Sequence, residues 1–249
     1  MTHVPYETAV DERPCLGLIV LQADETIEDE FRCLFDPSGV RLHISRVPSA
    51  AELTPASIHA MKSALPTSAA LFPEGVRFDA VAYACTSGTS LIGSNKVAEL
   101  VRTGCNSAVV TNPLDAAFAA LEALKASRIG IVSPYTAEIA NQMRGDFVKA
   151  GLDVVKTMTF GEEKEANVAR IASGSIVDAV QIIAEVADLD AVFLSCTNLR
   201  TLDAIEQLAR DVPFPVLSSN LVLAWQMAKA AQVNLTRDAR LPPGLERFQ

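Results

Sequence analysis

One phrase occurs twice in this chain, and any fold it adopts has to place both copies. Residues 79–90 read DAVAYACTSGTS and residues 190–201 read DAVFLSCTNLRT. Each opens on Asp-Ala-Val and runs into Cys-Thr, at Cys85-Thr86 and Cys196-Thr197. The repeat reaches beyond the phrase. Gly17-Leu-Ile-Val pairs with Gly130-Ile-Val, and AVVTNPLDAAFAAL from Ala108 pairs with PVLSSNLVLAWQMA from Pro215. The three offsets are 113, 111 and 107 residues, the small shrinkage that short loop deletions leave. The chain therefore reads as two copies of one unit.

Within each copy, apolar runs of strand length alternate with helix-length periodic segments. CLGLIVL, VRLHISRV, FDAVAYAC and SAVVT are strands of the first copy; RIGIVSPY, DVVKTMTF, DAVFLSC and FPVLSS are those of the second. Helices lie between them, with a break expected at Pro66 and one continuous helix expected across 165–185. Continuous apolar strands separated by helices belong to a parallel sheet covered on both faces. The expected fold class is α/β: two pseudo-symmetric Rossmann-like or flavodoxin-like units with parallel sheets, and an active site in the cleft between them. The boundaries are residues 15–113 plus 221–235 for the first unit and 114–220 for the second. Hinges are expected near 112–115 and 218–221, with flexible ends at 1–14 and 236–249. The last helix, NLVLAWQMAKAAQ, should pack back on the first unit, with Trp225 as a core or dimer residue. The tail from Asn234 has no period and reads as loose or as an oligomer arm.

At 249 residues and 49% hydrophobic content, the chain has ample material for a core. A net charge of −9 with no basic tract argues against a nucleic-acid partner. No run of about 18 apolar residues is present to cross a bilayer, and residues 1–15 carry acids without an apolar centre. A soluble, cytoplasmic protein with no membrane partner is expected, forming a homodimer or homotetramer. Five cysteines without a C-x-x-C point to free thiols. His3, His43 and His59 lie near neither repeat, so neither a metal site nor a Cys-His pair is expected. Cys15, Cys33 and Cys105 read as structural, and the acidic run from Asp24 to Glu30 as a solvated helix face.

In open α/β sheets, ligands bind beyond the carboxyl ends of the strands, which is where both repeated cysteines fall. Two thiols aimed at one point from opposite sides suit two reactions. In a racemisation, one thiolate removes an α-proton and the other thiol returns a proton on the opposite face. In a cis-trans isomerisation, one thiolate adds to an alkene and leaves after rotation. Both need donors for a carboxylate or enolate, and Thr86, Ser87, Thr89, Thr197 and Asn198 supply hydroxyls and N–H groups. Neither needs a cofactor. The substrate class is a small carboxylate.

These residues carry a likeness to a known family. The chain resembles the aspartate/glutamate racemase superfamily over residues 15–232, and within it the maleate cis-trans isomerases and arylmalonate decarboxylases. LSCTNLRTLDAI (194–205) and GTSL (88–91) are similar to the decarboxylases. YACTS (83–87), SPYTAEIANQ (133–142) and EANVARI (165–171) are similar to the isomerases. The resemblance implies catalytic roles for Cys85 and Cys196 and a carboxylate or enolate contact for Tyr135. It also implies a second carboxylate contact for Asn167 and a clamp of Thr86, Ser87, Thr197 and Asn198. Two departures bear on substrate. The decarboxylases have glycine where Cys85 stands, so a cysteine there favours a racemase or isomerase over a decarboxylase using Cys196 alone. Asp24 replaces a substrate-contacting asparagine of the isomerases; an anion there opposes a second carboxylate and favours an ammonium. The segment GLIVLQADETIEDEF also resembles a branch linked to ectoine breakdown, which implies a diaminobutyrate-type substrate.

Each assignment has a plainer counterpart. Asp24 is placed to N-cap the helix that follows it, Asn167 to cap another, and Tyr135 to sit as a surface phenol. A third functional reading keeps the hinged fold but makes it a non-catalytic binder of small carboxylates with unreactive thiols.

Overall fold

The structure is a computed structural model that describes residues 1–50, 55–185, 188–236 and 241–245. The first half runs β1 (Cys15–Leu21), α1 (Ile27–Leu34), β2 (Arg41–Val47), α2 (Pro55–Ala69), β3 (Arg77–Ala84), α3 (Thr86–Ile92), α4 (Ser94–Gly104) and β4 (Asn106–Thr111). Helix α5 (Pro113–Ala123) leads into β5 (Arg128–Ser133), α6 (Ala137–Lys149), β6 (Asp153–Thr159), α7 (Glu165–Val168) and α8 (Ser173–Ala184). The chain continues through β7 (Ala191–Leu194), α9 (Leu202–Asp211), β8 (Val216–Ser218) and α10 (Ser219–Ala231).

The strands form two four-stranded sheets, ordered β2-β1-β3-β4 and β6-β5-β7-β8, and every pairing is parallel. The second order is the first with each index raised by four. The duplicated residues explain the match. Asp79 accepts the Cys15 N–H at 2.8 Å and so pins the start of β1. Asp190 accepts the N–H groups of Ser127 and Arg128, each at 2.8 Å, and pins the start of β5. Gly17 lies opposite Val81, and Gly130 opposite Val192. A Cβ on Gly17 would sit 2.9 Å from Val81 Cγ2, and one on Gly130 2.7 Å from Ile183 Cγ2. Aspartate and glycine are thus repeated as scaffold.

Strand β1 is buried along its whole length, as a central parallel strand must be. Helix α1 turns Ile27, Phe31 and Leu34 inward at i, i+4 and i+7. Helix α10 starts at the second sheet and packs over β3, β4 and β1 of the first, against α5 and α1. One core cluster therefore contains residues of both halves, among them Leu16, Ala82, Ile131, Phe193 and Leu223. Trp225 is buried within it. Among the described residues, no helix is long and apolar enough to cross a membrane.

Three local expectations need correction. Pro66 does not break its helix; α2 runs through it. The carbonyl of Lys62 loses its helical partner, but Met61, Leu65 and Ala69 stay buried on the docked face. The segment 165–185 is two helices, because Ala172 is extended (φ −67°, ψ 143°) and restarts the chain as α8. The described parts of the tail from Asn234 are anchored: Leu235 and Leu245 are buried in the core, and the Thr236 N–H donates to Leu34 O at 2.9 Å, while 237–240 and 246–249 lie outside the described residues.

Candidate active site

In both sheets the winding reverses between the first and third strands of the half, and such a reversal opens a crevice at the carboxyl ends. Four segments leave the sheets there. They carry Asp24 after β1, Cys85 after β3, Tyr135 after β5 and Cys196 after β7.

Cys85 has extended backbone (φ −153°) and caps α3 with its own sulfur. Its Sγ accepts the Gly88 N–H at 3.2 Å and lies 3.7 Å from Ser87 Oγ. Tyr83 closes the other side. A Cβ on Gly88 would stand 2.6 Å from the Tyr83 hydroxyl and 2.8 Å from Cys85 Sγ, so only glycine fits. Burial pushes the Cys85 thiol up to about 11; the Gly88 N–H and Ser87 pull against it, and the Glu165 charge adds to the rise.

Cys196 is built differently. Its φ is +136°, a region that a residue with a β-carbon rarely occupies. Its N–H donates to Ser219 Oγ at 3.0 Å. Burial pushes its thiol well above the usual value. Glu165 pushes the same way, the Asn198 N–H opposes, and Asp24 and Cys85 add smaller increments. The two sulfurs are therefore close enough to feel each other. The Tyr135 hydroxyl is buried and has no hydrogen-bond partner among the described residues. Burial raises the phenol well above its ordinary value, and the charges of Cys196 and Cys85 reinforce that.

Residues at the start of α10 tie the two cysteine segments together. Ser219 Oγ meets Thr86 Oγ1 at 2.9 Å as well as holding Cys196. Asn220 Nδ2 donates to Thr197 O at 2.8 Å and to Glu30 Oε2 at 2.7 Å. Glu30 in turn accepts the Thr201 N–H at 2.7 Å and the Leu202 N–H at 3.2 Å. Burial lifts its carboxyl to about 7 despite those donors. Asn198 is fully engaged: its Oδ1 accepts the Glu25 N–H, and its Nδ2 donates to Glu165 O and Oε2, each at 2.9 Å.

With this geometry in view, likeness to known proteins becomes specific. The family model described as arylmalonate decarboxylase matches residues 78–241, which include both cysteines, Tyr135 and Ser219. The chain belongs to the arylmalonate decarboxylase family. It is 24% identical to the maleate isomerase of Geobacillus stearothermophilus over 162 residues, 62% of this chain and 64% of that one. It is 27% identical to the arylmalonate decarboxylase of Bordetella bronchiseptica over 112 residues, 45% of this chain and 47% of that one. The matched stretches thus span under two thirds of those relatives. Among solved structures, maleate isomerase Iso from Pseudomonas putida S16 with maleate superposes with a TM-score of 0.79 at 20% identity, covering 89% of this chain and 93% of that one. A liganded arylmalonate decarboxylase mutant superposes with a TM-score of 0.77 at 23% identity, covering 94% and 98%.

In this member of the arylmalonate decarboxylase family, the residues expected from sequence divide into three groups. Cys85, Cys196, Tyr135 and Asp24 are buried at the crevice, with Ser87 beside the first sulfur. Thr86, Thr197 and Asn198 are there too, but their side chains are committed to Ser219, Ala84 O and Glu165, so they brace the site more than they clamp a ligand. Asn167 is not brought in: it is exposed and donates to Glu162 at 3.1 Å. Glu165, two residues earlier, is the buried side chain of that short helix. The acidic run is also corrected. Asp24 and Glu30 are buried, leaving Glu25 and Asp29 as the solvated acids. The N-cap of α1 is Thr26, but Asp24 braces the helix start through Oδ1, which accepts the N–H groups of Thr26 and Ile27 at 2.8 and 2.9 Å. Its Oδ2 has no partner. Among the described residues, no group of three or more His, Cys, Asp or Glu is placed to hold a metal ion. A groove of about 530 Å³ lies alongside, between α1, the α7–α8 turn and Arg200, and neither cysteine lines it.

Proposed function

We propose that the chain is a cofactor-independent two-cysteine racemase or cis-trans isomerase acting on a small carboxylate. The observation that carries this reading is the pair of buried thiols, Cys85 and Cys196, at equivalent strand ends. Cys85 has two local donors at its sulfur, the Gly88 N–H and the Ser87 hydroxyl, which favour its thiolate, so it acts as the base. It takes the α-proton of the bound acid. The electron pair moves into the carboxylate to form an enolate, which Tyr135 stabilises by donating its hydroxyl. Cys196 returns its own proton to the other face, which inverts the centre. With an alkene the same pair works by addition and elimination at one sulfur.

Supporting this class, the family includes enzymes named as maleate isomerases and arylmalonate decarboxylases. Decarboxylation with Cys196 as sole proton donor is the second reading, favoured by the description of the matched family model. The test is NMR in heavy water with both enantiomers of aspartate and glutamate, maleate and a phenylmalonate. Deuterium entering Cα as the mirror isomer grows is the expected result. Loss of carbon dioxide with full activity in Cys85→Ser would replace this reading with the second.

A further inference from the structure

The duplicated phrase is unequal two residues before its cysteine. Tyr83 holds that place in the first copy and Leu194 in the second. Both side chains are fully buried, so the tyrosine carries into the interior a hydroxyl that its counterpart lacks. Its surroundings are apolar, with Ile19, Met61, Leu65 and Val97 in the same cluster. A buried hydroxyl ordinarily has a good acceptor. This one donates to Met61 Sδ at 3.9 Å, and a thioether is a weak acceptor. The other heteroatom at hand is the Cys85 sulfur, and Gly88 locates both. A Cβ on Gly88 would stand 2.6 Å from Tyr83 Oη and 2.8 Å from Cys85 Sγ. Oxygen and sulfur therefore flank one point no larger than a methyl group. The Gly88 N–H donates to that same sulfur at 3.2 Å. Burial raises the Tyr83 phenol well above its ordinary value, and the Cys85 charge adds to the rise, so the phenol keeps its proton.

We infer that Tyr83 is a positioning residue for Cys85: its hydroxyl turns from Met61 to the thiolate and holds the sulfur in its basic form. The inference rests on the two-cysteine reading for what that base then does. The step makes and breaks no covalent bond. The O–H bond turns about the Cζ–Oη axis, and its proton stays on oxygen. Ionisation converts the sulfur from a weak acceptor into a charged one, and charge-assisted hydrogen bonds are roughly twice as strong as neutral ones. The bond thus tightens when the thiolate forms and slackens when the α-proton arrives, with Met61 as the resting acceptor. Tyr83 joins the Gly88 N–H and Ser87 in favouring the thiolate, against burial and the charge of Glu165 from α7. Across the crevice, Cys196 and Tyr135 feel the same sulfur's charge. Leu194 offers Cys196 no such donor, so the device belongs to one thiol of the pair.

The experiment uses the full chain with cysteine labelled at ¹³Cβ, whose shift reports thiol against thiolate. Cys85→Ser assigns the signal. Tyr83→Phe removes the hydroxyl alone, and Tyr83→Leu installs the residue of the second copy; circular dichroism checks the fold of each. The lower edge of the Cys85 titration, read from about pH 8 to 11, is expected to move up by about one unit in both variants. In α-deuterium exchange, Tyr83→Phe is expected to lose about tenfold in kcat at neutral pH with KM held, and to recover part of it as pH rises. A titration edge that stays in place in a folded Tyr83→Phe overturns the inference. So does a loss of rate equal at every pH, which is what a packing role alone produces. Failure of the underlying reading looks different. A displaced edge without α-deuterium exchange leaves Tyr83 in its role and removes the two-thiol reaction. Exchange that needs both cysteines, with the edge unmoved, does the reverse.

Discussion

The two Cys-Thr corners share a phrase and differ in how they are held. At the Cys85 corner the support is local. Backbone angles are ordinary, α3 starts at once, and the sulfur is fixed by Gly88, the third residue of that helix, with Tyr83 of its own strand beside it. At the Cys196 corner the support is remote. The backbone is in an unfavourable region, the next helix waits until Leu202, and the loop is held by Ser219, Asn220, Glu30 and Glu25 from elsewhere in the chain. One thiol thus sits in a self-contained mount after β3, and the other, after β7, in a mount assembled from both halves.

The comparison can be broken most decisively at the sulfurs. Cys85→Ser and Cys196→Ser are each expected to lose about a thousandfold in α-deuterium exchange while keeping the parent circular dichroism spectrum. Full activity in either variant means that the corners are not a pair. The next effect concerns the remote mount alone. Glu30 titrates near 7 in the folded chain against an ordinary 4.5, so between those values the folded state holds a proton that the unfolded state has shed. Stability should therefore fall by on the order of 3 kcal/mol as pH rises through that window and be level above it. Denaturant midpoints across pH 4 to 8 read this directly, and Glu30→Gln should flatten the profile.

A smaller effect separates the corners by strain. Cys196→Gly releases a positive φ, whereas Cys85→Gly releases nothing and removes the sulfur that caps α3. The variant at 85 should be the less stable by about 2 kcal/mol in urea denaturation; equal costs would show that the Cys196 backbone carries no strain. Smallest of all is Arg170→Ala. Its ion pair with Glu25 spans the two halves, but both side chains are about half exposed, so the loss should stay under about 1 kcal/mol in the same assay.

What the sequence makes legible follows from what was copied. Asp79 with Asp190 and Gly17 with Gly130 perform the same task in each half, so the repeat announces both sheets and both cysteines. The site's remote supports are not copied. Glu30 looks like one more acid in an acidic helix, yet its spacing of three from Ile27 turns it inward with the buried face. Glu165 and Asn167 lie in a helix of four residues, too short for periodicity to tell which side chain is buried. The repeated segment aligns Ser219 with Asn112, a helix cap in the first half, but the cap of α10 is Ser218, so the bonds of Ser219 to Cys196 and Thr86 are tertiary facts. Pro66 misled because the local rule is real and the docked face of α2 outweighs it.

The placement of Ser219 and Asn220 at the head of α10 also sets an order in time. Chains are made from the amino end at roughly 5–20 residues per second, and both cysteines precede the two residues that fasten their loops. A growing chain therefore carries both thiols before it carries a site. Any product cut short ahead of residue 219 keeps the complete duplicated phrase and both sheets' central strands, but lacks the Ser219 and Asn220 bonds to the Cys196 segment.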